Sequence, residues 1–315
     1  MLKLDAKSLA ATLPCDQLIA ALDQAFTEDV TVPQRAHHEV PVPGGNAGTL
    51  LLMPAWRSGA HIGVKIVSVF PDNAKRGIPA VSGSYVLMSA HTGIPVALLD
   101  GTELTLRRTA AASALASTYL SRRDASKLLM IGTGNLAPYL INAHRSARPI
   151  EEVCIWGRRR EAAQKLADDL SDLSCKVSVA TDLEKEVRKA DIISCATLAS
   201  EPIVRGKWLA PGQHLDLVGA FTPTMSEADS EAVAAARVYV DTREGAFSEA
   251  GEIVQAIENG TISEKDIKGS LRDLATGKVK GRQADEEITL FKSVGTALED
   301  LAAAELAMQN YVPGN

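Results

Sequence analysis

The chain contains little of what marks disulfide-stabilised, metal-binding or membrane-spanning proteins. Only four of its 315 residues are cysteine, their spacing matches no metal motif, and Cys154 and Cys195 fall inside apolar runs where cysteine usually packs as a small hydrophobe. No apolar run reaches the roughly 18 residues that a membrane span requires. The six histidines show no HExxH-like spacing. We therefore expect no metal and no membrane contact and, since no signal peptide is recognisable, a cytoplasmic protein.

Positive charge and aromatic residues are also scarce. Lys and Arg total 33 against 39 Asp and Glu, which gives a net charge of −6 and a pI near 5.6. An acidic balance argues against nucleic acid as a partner. Aromatic residues make up 4% of the chain and hydrophobic residues 46%, so the core must consist mainly of aliphatic side chains. A chain of this length is expected to form two domains.

The N-terminal third has the pattern of an antiparallel sheet flanked by helices. Apolar residues spaced i, i+3, i+4 predict a helix over 15–26, and an Ala-rich segment predicts a closely packed helix over 103–119. Strand-like runs follow one another between these helices without intervening helices, which favours antiparallel pairing. These predicted strands are 37–42, 49–53, 62–69, 85–89 and 95–99.

From residue 127 onward, predicted strands alternate mostly with helices. This alternation is typical of a doubly wound parallel sheet, so the fold class is predicted to be α/β with a Rossmann-type second part. Further helices are predicted over 245–259, 263–276 and 294–311. The predicted strands are 127–131, 152–156, 176–180, 192–196, 214–218, 237–240 and 287–293.

A glycine-rich turn follows the first of these strands. Gly132, Gly134 and Ala137 form a Gly-x-Gly-x-x-Ala pattern between a strand and a helix. The glycines allow a tight turn and close backbone approach, and the helix N-terminus offers N–H groups and a positive dipole end. The pattern predicts a dinucleotide pyrophosphate site, although a strand-to-helix turn that only needs glycine remains the alternative.

The second strand of this region ends in three arginines. NAD-preferring sites usually place Asp or Glu at that point, to accept from the ribose 2′-hydroxyl. Here Arg158, Arg159 and Arg160 follow Gly157, and guanidinium groups suit a 2′-phosphate. The sequence therefore favours NADPH over NADH. The alternative is a solvated basic first turn of the next helix.

Together, these motifs resemble the ornithine cyclodeaminase/μ-crystallin family over nearly the whole chain. The resemblance implies an N-terminal antiparallel α+β domain for substrate binding and homodimerisation, spanning 1–118 with the C-terminal helix 296–315. It implies a Rossmann domain over 119–295. The motifs that carry it are Val32-Pro-Gln-Arg35, Gly63-Val-Lys65-Ile-Val67, Leu106-Arg-Arg-Thr-Ala-Ala-Ala-Ser113, the Gly132 turn and Leu290-Phe-Lys-Ser-Val-Gly295.

The same resemblance implies roles for individual residues. Arg35 and Lys65 match positions that bind the substrate carboxylate, and Arg108 matches one near both the substrate and the nicotinamide. Lys65 and Arg108 are the expected catalytic residues. Phe221 and Val294 are further expected substrate contacts. The expected cofactor contacts are Thr109, Gly132, Gly134, Asn135, Leu136, Arg158, Arg159, Thr197, Val218, Gly219 and Ser293.

The three cations also carry an argument of their own. Arg108 lies on an Ala-rich helix, where a buried charge is costly unless a ligand or a carboxylate meets it. None of the three motifs contains a carboxylate, which suggests a small 2-carboxylate substrate. Two alternatives stay open at this point: Arg107 could be the inward arginine, and Lys65 could lie on the surface of an alternating strand.

One position departs from the cyclodeaminase pattern. Ornithine cyclodeaminases carry an aspartate where this chain has Phe221, and a phenyl ring can neither transfer a proton nor pair with an ammonium group. The segment Gly219-Ala-Phe-Thr-Pro-Thr-Met225 instead resembles Δ1-pyrroline-2-carboxylate and Δ1-piperideine-2-carboxylate reductases. Phe221 could alternatively be a core residue.

The resemblance therefore predicts NAD(P)H-dependent reduction of a small cyclic imino acid to L-proline or L-pipecolate. The hydride would pass from the nicotinamide to C2 of the substrate. An enzyme that exchanges its cofactor in every turnover suits NADPH, in agreement with the arginines. The alternatives are an alanine or N-alkyl-amino-acid dehydrogenase, an ornithine cyclodeaminase, and a non-catalytic NADPH-binding protein similar to μ-crystallin.

Overall fold

The computed structural model describes residues 1–312, apart from the side chain of residue 74. The chain forms two compact units. The N-terminal unit comprises Met1–Thr109 and the segment from Thr296 onward, and the Rossmann unit comprises Ala110–Gly295. The division falls inside helix α3 (Gly101–Leu120). The predicted boundary between residues 118 and 119 lies later in the same helix and stays a prediction.

The N-terminal unit is built on a six-stranded sheet. Strands β2 to β6 are antiparallel neighbours, joined in chain order as the rapid succession of strands predicted. One part of the prediction was wrong, because the short strand β1 was missed and pairs parallel with β6. The strands are β1 (Leu2–Leu4), β2 (Ala36–Val40), β3 (Gly48–Trp56), β4 (His61–Val69), β5 (Val81–Ser89) and β6 (Pro95–Asp100).

Three helices complete this unit: α1 (Ala6–Thr12), α2 (Cys15–Thr27) and the C-terminal α11 (Ala297–Asn310). Helix α11 contacts α2, β3 and β4. Most of its residues are buried, because alanine side chains let neighbouring backbones approach closely. The helix therefore carries any charged residue of its first turns into the interior of the unit.

The Rossmann unit contains an eight-stranded sheet in which every neighbouring pair is parallel, ordered β13-β12-β14-β11-β10-β7-β8-β9. The predicted α/β fold class, with its doubly wound parallel sheet, is confirmed. The strand order reverses between β7 and β10, where such sheets bind ligands beyond the carboxyl ends of their strands. The strands are β7 (Lys127–Ile131), β8 (Glu152–Trp156), β9 (Lys176–Val179), β10 (Ile192–Cys195), β11 (His214–Leu217), β12 (Arg237–Val240), β13 (Ile267–Ser270) and β14 (Thr289–Lys292).

The helices of this unit depart from the prediction in two places. The predicted helix 263–276 is wrong, because it contains strand β13, in which the buried residues Ile267 and Gly269 alternate with more exposed ones. The predicted helix 245–259 is interrupted at Ala250, and α9 begins at Gly251, where a Cβ would lie 1.8 Å from the Met225 carbonyl oxygen. The helices are α4 (Ala137–Ala147), α5 (Arg160–Asp169), α6 (Leu183–Lys189), α7 (Ser230–Ala235), α8 (Arg243–Glu249), α9 (Gly251–Glu258) and α10 (Leu271–Ala275).

The core of the Rossmann unit is aliphatic, as the composition predicted. Its buried cluster joins β7, β10, β11, β12 and β14 through side chains such as Ile131, Ile193, Leu217, Val240 and Leu290. Within residues 1–312 no helix combines the length and the apolar character needed to traverse a bilayer. The cytoplasmic location stays a prediction.

Candidate active site

Lys65 is a buried cation on β4 of the N-terminal unit. Alternate residues of this strand point to the same face, so Gly63 and Lys65 share the inner face. Only 2% of Lys65 is exposed, and its Nζ lies 3.0 and 2.8 Å from the two carboxylate oxygens of Asp300. Burial, together with the nearby positive charge of Arg108, lowers the pKa of Lys65 to about 8. Lys65 therefore carries an ammonium group at neutral pH and can lose its proton at slightly higher pH.

Arg108 is the inward arginine of α3. The helix begins where Asp100 Oδ1 accepts hydrogen bonds from the backbone N–H groups of Thr102 and Glu103. Two turns later Arg108 is 5% exposed, whereas Arg107 is more exposed and donates to Glu103 one helical turn away. The structure thus answers the question that the sequence left open: Arg108, and not Arg107, is the arginine that points inward.

Two carboxylates from α11 meet these cations. Arg108 Nη1 donates to Glu299 at 2.6 Å, and its Nε donates to Asp300 at 2.9 Å. The charges of Arg108 and Lys65 outweigh the effect of burial and hold the pKa of Asp300 below its ordinary value. Arg108 Nη2 makes no hydrogen bond to any described residue. Carboxylates outside the three motifs therefore pair with Lys65 and Arg108. The absence of a carboxylate from the motifs themselves, which suggested a carboxylate substrate, did not mean that the cations lack protein partners.

Sequence reasoning missed Glu299 and Asp300. Helix α11 was predicted as Ala-rich, and its first turn carries two adjacent acidic residues directly before a run of apolar residues. That placement is a signal, because carboxylates favour the positive end of a helix and a buried one requires a cation. The partner itself could not be read from the sequence, since Arg108 and Asp300 are far apart along the chain.

Arg35 adds a third cation to this group. It is half-buried, directly before β2, and its positive charge helps to lower the pKa of Lys65. We call Arg35, Lys65, Arg108, Glu299 and Asp300 the ion cluster. Its three cations face two anions, so it suits an anionic ligand such as a carboxylate. The neighbouring Thr109 is buried on α3.

The Rossmann unit contains the predicted glycine turn. Gly132 directly follows β7 and has φ = +120°, and a Cβ there would lie 2.4 Å from the Ala196 carbonyl oxygen. Gly134 differs, because a Cβ there would meet no protein atom within 4 Å. Asn135 is exposed, and Leu136, the N-cap residue of α4, provides no side-chain cap. Open space beside Gly134 and an uncapped helix N-terminus fit a dinucleotide pyrophosphate.

This contrast gives a prediction for the two glycines of the turn. Replacing Gly134 by alanine is expected to leave the free energy of unfolding within about 0.5 kcal/mol of the original. The added methyl group would fill the space expected for the pyrophosphate, so the NADH dissociation constant should rise about tenfold. Gly132→Ala should instead lower the melting temperature, because it combines a steric clash with an unfavourable φ. Fluorescence titration and thermal denaturation measure the two effects, and normal NADH binding by Gly134→Ala would contradict the assignment.

The other predicted cofactor residues surround the strand ends of this unit. Arg158 and Arg159 are exposed just after β8 and form no ion pair with a described residue. Thr197 follows β10, and Val218 and Gly219 follow β11, whose carboxyl ends lie at one edge of the parallel sheet.

Several of these residues already have protein partners. The Thr197 hydroxyl donates to Glu227 at 2.8 Å, and the Ser293 hydroxyl donates to Asp241 at 3.1 Å. Val294 is half-buried and its N–H also donates to Asp241, at 2.8 Å. Glu227 and Asp241 were not predicted, since their role is to hold loops that are distant in sequence.

Phe221 lies on the loop after β11 and is 49% exposed. An aromatic ring that is half in solvent is not a core residue, so the core alternative does not hold. The structure thus gives Phe221 a free apolar surface near a strand end of the Rossmann unit.

Comparison with known proteins assigns the chain to a family. The family model described as "Ornithine cyclodeaminase/mu-crystallin family" matches residues 3–315. The chain belongs to this family. Its members are thus the proper reference for the ion cluster and for the glycine turn, and the predicted family resemblance is confirmed.

Three individual proteins show how close this similarity is. A Δ1-pyrroline-2-carboxylate reductase of Colwellia psychrerythraea is 39% identical over 310 residues, covering 97% of this chain and 98% of the relative. The structure of Thermococcus litoralis Δ1-pyrroline-2-carboxylate reductase in complex with NADH and L-proline is 35% identical, with a TM-score of 0.92 over 98% of this chain and 97% of that one. An archaeal alanine dehydrogenase dimer with bound NAD is 32% identical, with a TM-score of 0.91 over 98% and 95%.

Proposed function

We propose that this protein reduces small cyclic imino acids, using NAD(P)H. The substrates would be Δ1-pyrroline-2-carboxylate and Δ1-piperideine-2-carboxylate, and the products L-proline and L-pipecolate. The observation that carries the proposal is the buried ion cluster, in which Lys65 and Arg108 share Asp300. The similarity to reductases of this class, one of them in complex with NADH and L-proline, supports it.

The chemistry of the ion cluster supports binding and protonation. Arg35 and Arg108 would pair with the substrate carboxylate, Arg108 through the Nη2 that Glu299 and Asp300 leave without a hydrogen bond. Asp300 holds the Lys65 ammonium in place from one side. Lys65 would donate a proton toward the imine nitrogen, which makes C2 the better electrophile.

A nicotinamide cofactor would supply the hydride for C2. The open space at Gly134 and the uncapped N-terminus of α4 support its binding in the Rossmann unit. Phe221 supports a reductase rather than a cyclodeaminase, because its exposed ring suits the methylene groups of a ring substrate and offers no carboxylate for an ammonium group.

We propose NADPH as the preferred cofactor, on the basis of the arginines after β8. Arg158 is exposed and without an ion-pair partner among the described residues, so its guanidinium group is available to a 2′-phosphate. Arg158→Ala should raise KM for NADPH about tenfold or more and leave KM for NADH nearly unchanged. Arg188→Ala is the matched control, because that exposed arginine pairs with Glu184 on α6. An equal rise in both KM values would remove Arg158 from 2′-phosphate recognition.

The function itself is tested by following NAD(P)H oxidation with each cyclic imine in turn. We expect turnover with at least one ring size. Parallel reactions contain pyruvate with ammonia, pyruvate with methylamine, and L-ornithine with NAD⁺. Turnover confined to pyruvate would favour the dehydrogenase alternative, which the similarity to an archaeal alanine dehydrogenase supports. Tight NADPH binding without any turnover would favour a binding protein.

We also propose that the protein forms a homodimer through the outer face of the N-terminal sheet. Helix α11 contacts β3 and β4, whose inner face includes Lys65. Residues of the opposite face pair across the strands and remain only partly buried, and Ile66 is 38% exposed. A continuous apolar face of this kind suits a second copy of the chain. Its residues include Leu52, Pro54, Val64, Ile66, Val86 and Met88.

Replacing Ile66 by glutamate is expected to convert the dimer to a monomer, because it buries a charge in the apolar interface. Light scattering coupled to size-exclusion chromatography measures the mass. Ile94→Glu is the control, since Ile94 is exposed in the turn before β6 and away from this face. A wild-type monomer, or an unchanged mass of the Ile66→Glu variant, would contradict the proposed interface.

A further inference from the structure

Glu227 is a fully buried carboxylate that joins two strand ends of the Rossmann unit. Its Oε1 accepts hydrogen bonds from the backbone N–H and the hydroxyl group of Thr197, at 2.6 and 2.8 Å. Its Oε2 accepts from the backbone N–H of Gly219 at 2.6 Å. Thr197 follows β10 and Gly219 follows β11, so one side chain fixes the backbone beyond two adjacent strands.

The space around this contact leaves little freedom. A Cβ at Gly219 would lie 2.0 Å from the Thr197 carbonyl oxygen and 2.5 Å from Glu227 Oε1. The two loops therefore touch directly, and Glu227 determines their separation. A glycine is required at 219 because any side chain would push them apart.

A second layer of buried charge holds Glu227 itself. Glu252 on α9 accepts a hydrogen bond from the Glu227 backbone N–H at 2.7 Å, and Lys292 on β14 pairs with Glu252 at 3.0 Å. All three side chains are buried. Two carboxylates and one lysine leave an excess negative charge inside the unit, which is costly to maintain. The stability of the sheet does not require these charges, because apolar residues of the same volume would be buried at a lower cost in free energy.

We propose that Glu227 is a positioning residue for the cofactor: it fixes Thr197 and Gly219 in the geometry that receives the dinucleotide, and its ionisation controls cofactor affinity. The proposal rests on the proposed function only in assigning a dinucleotide to these strand ends. It is distinct from the ion cluster, which belongs to the other unit.

The ionisation of Glu227 gives the proposal a direction with pH. Burial, reinforced by the negative charge of Glu252 and opposed by the positive charge of Lys292, raises the pKa of Glu227 to about 7. Burial raises the pKa of the Cys195 thiol on β10, and the negative charge of Glu227 adds to this shift. Ionised Glu227 accepts all three hydrogen bonds, whereas a proton on either oxygen removes one acceptor. NADH affinity should therefore fall as pH decreases from 8 to 6.

The test compares the wild type with Glu227→Gln. Glutamine keeps the shape of the side chain but presents an NH₂ group to an N–H donor, so it imitates the protonated acid at every pH. We expect its NADH dissociation constant at pH 8 to be about tenfold above that of the wild type, as for the loss of a charge-assisted hydrogen bond. Its value should also be independent of pH between 6 and 8. Fluorescence titration with NADH alone measures both quantities.

Asp229→Asn serves as the control for a purely structural carboxylate. Asp229 accepts from the backbone N–H groups of Gly206 and Ala232, both at 2.9 Å, and caps α7. This variant should lower the melting temperature and retain the pH dependence of NADH binding. Wild-type affinity in Glu227→Gln, or a pH slope identical to that of the wild type, would overturn the proposal.

These outcomes are separable from the fate of the proposed function, because NADH binding is measured without an imine. A chain that binds NADH with the expected dependence on Glu227 but turns over no imine would remove the proposed substrate and keep the positioning role. Imine turnover by a wild-type protein whose NADH dissociation constant does not depend on pH would keep the proposed substrate and remove the positioning role of Glu227.

Discussion

Arg108→Met is expected to abolish imine reduction and to lower the free energy of unfolding by about 3–5 kcal/mol, the usual cost of breaking a buried ion pair. Methionine has a similar length and is apolar, so the packing around α3 is largely kept. What is lost is the guanidinium group that lies 2.6 Å from Glu299 and 2.9 Å from Asp300. Lys65 alone is then left to compensate Asp300, and Glu299 loses its contact with Arg108.

Arg107→Met provides the matched control for this effect. Arg107 is the neighbouring residue, but its own side chain is partly exposed and its partner Glu103 lies one turn away on the same helix. Pairs of this kind contribute less than about 1 kcal/mol. Urea denaturation and steady-state kinetics distinguish the two variants. Equal losses of unfolding free energy and of activity in the two variants would mean that the ion cluster has no special role in stability or turnover.

Lys65→Met is expected to lower kcat/KM for the cyclic imine by about 10²–10⁴-fold, the range typical of a lost general acid. The wild-type rate of reduction should decline as pH rises through about 8, because burial and the positive charge of Arg108 lower the pKa of Lys65 to that value and the protonated form is required. The residual activity of the variant should lack this decline.

Lys75→Met is the control for the loss of a lysine charge from the same unit. Lys75 is exposed and pairs with Asp72 near the surface, so its removal should change neither kcat/KM nor the pH profile. A Lys65→Met variant that folds and keeps the wild-type pH profile would show that another group supplies the proton.

The sequence predicted the architecture well because its main signals are local. The glycine turn after β7, the apolar strands and the Ala-rich helices are each encoded within a short segment. The strand β13 was missed because one Ser-initiated capping box, at Ser263, precedes it and another begins at its last residue, Ser270, and such boxes are typical of helix starts. Strand β1, with three residues, is too short to show a period.

The candidate site was predictable only in part, for a different reason. Their motifs predicted Lys65 and Arg108 as site residues, and the cost of burying a charge among alanines gave a further argument for Arg108. Asp300 and Glu227 were not predicted, because each forms hydrogen bonds to residues from other parts of the chain. Only tertiary packing brings each carboxylate and its partners together. A buried carboxylate is recognised by its partners, which a single sequence does not reveal.

A crystal structure of the protein with NAD⁺ and L-proline tests the central claim most directly. We expect the carboxylate of L-proline to lie within about 3 Å of the Arg108 guanidinium group, with Lys65 Nζ beside the ring nitrogen. L-Proline bound elsewhere, with Lys65 and Arg108 still engaged only by Asp300 and Glu299, would contradict it: the ion cluster would then serve the fold and not the substrate.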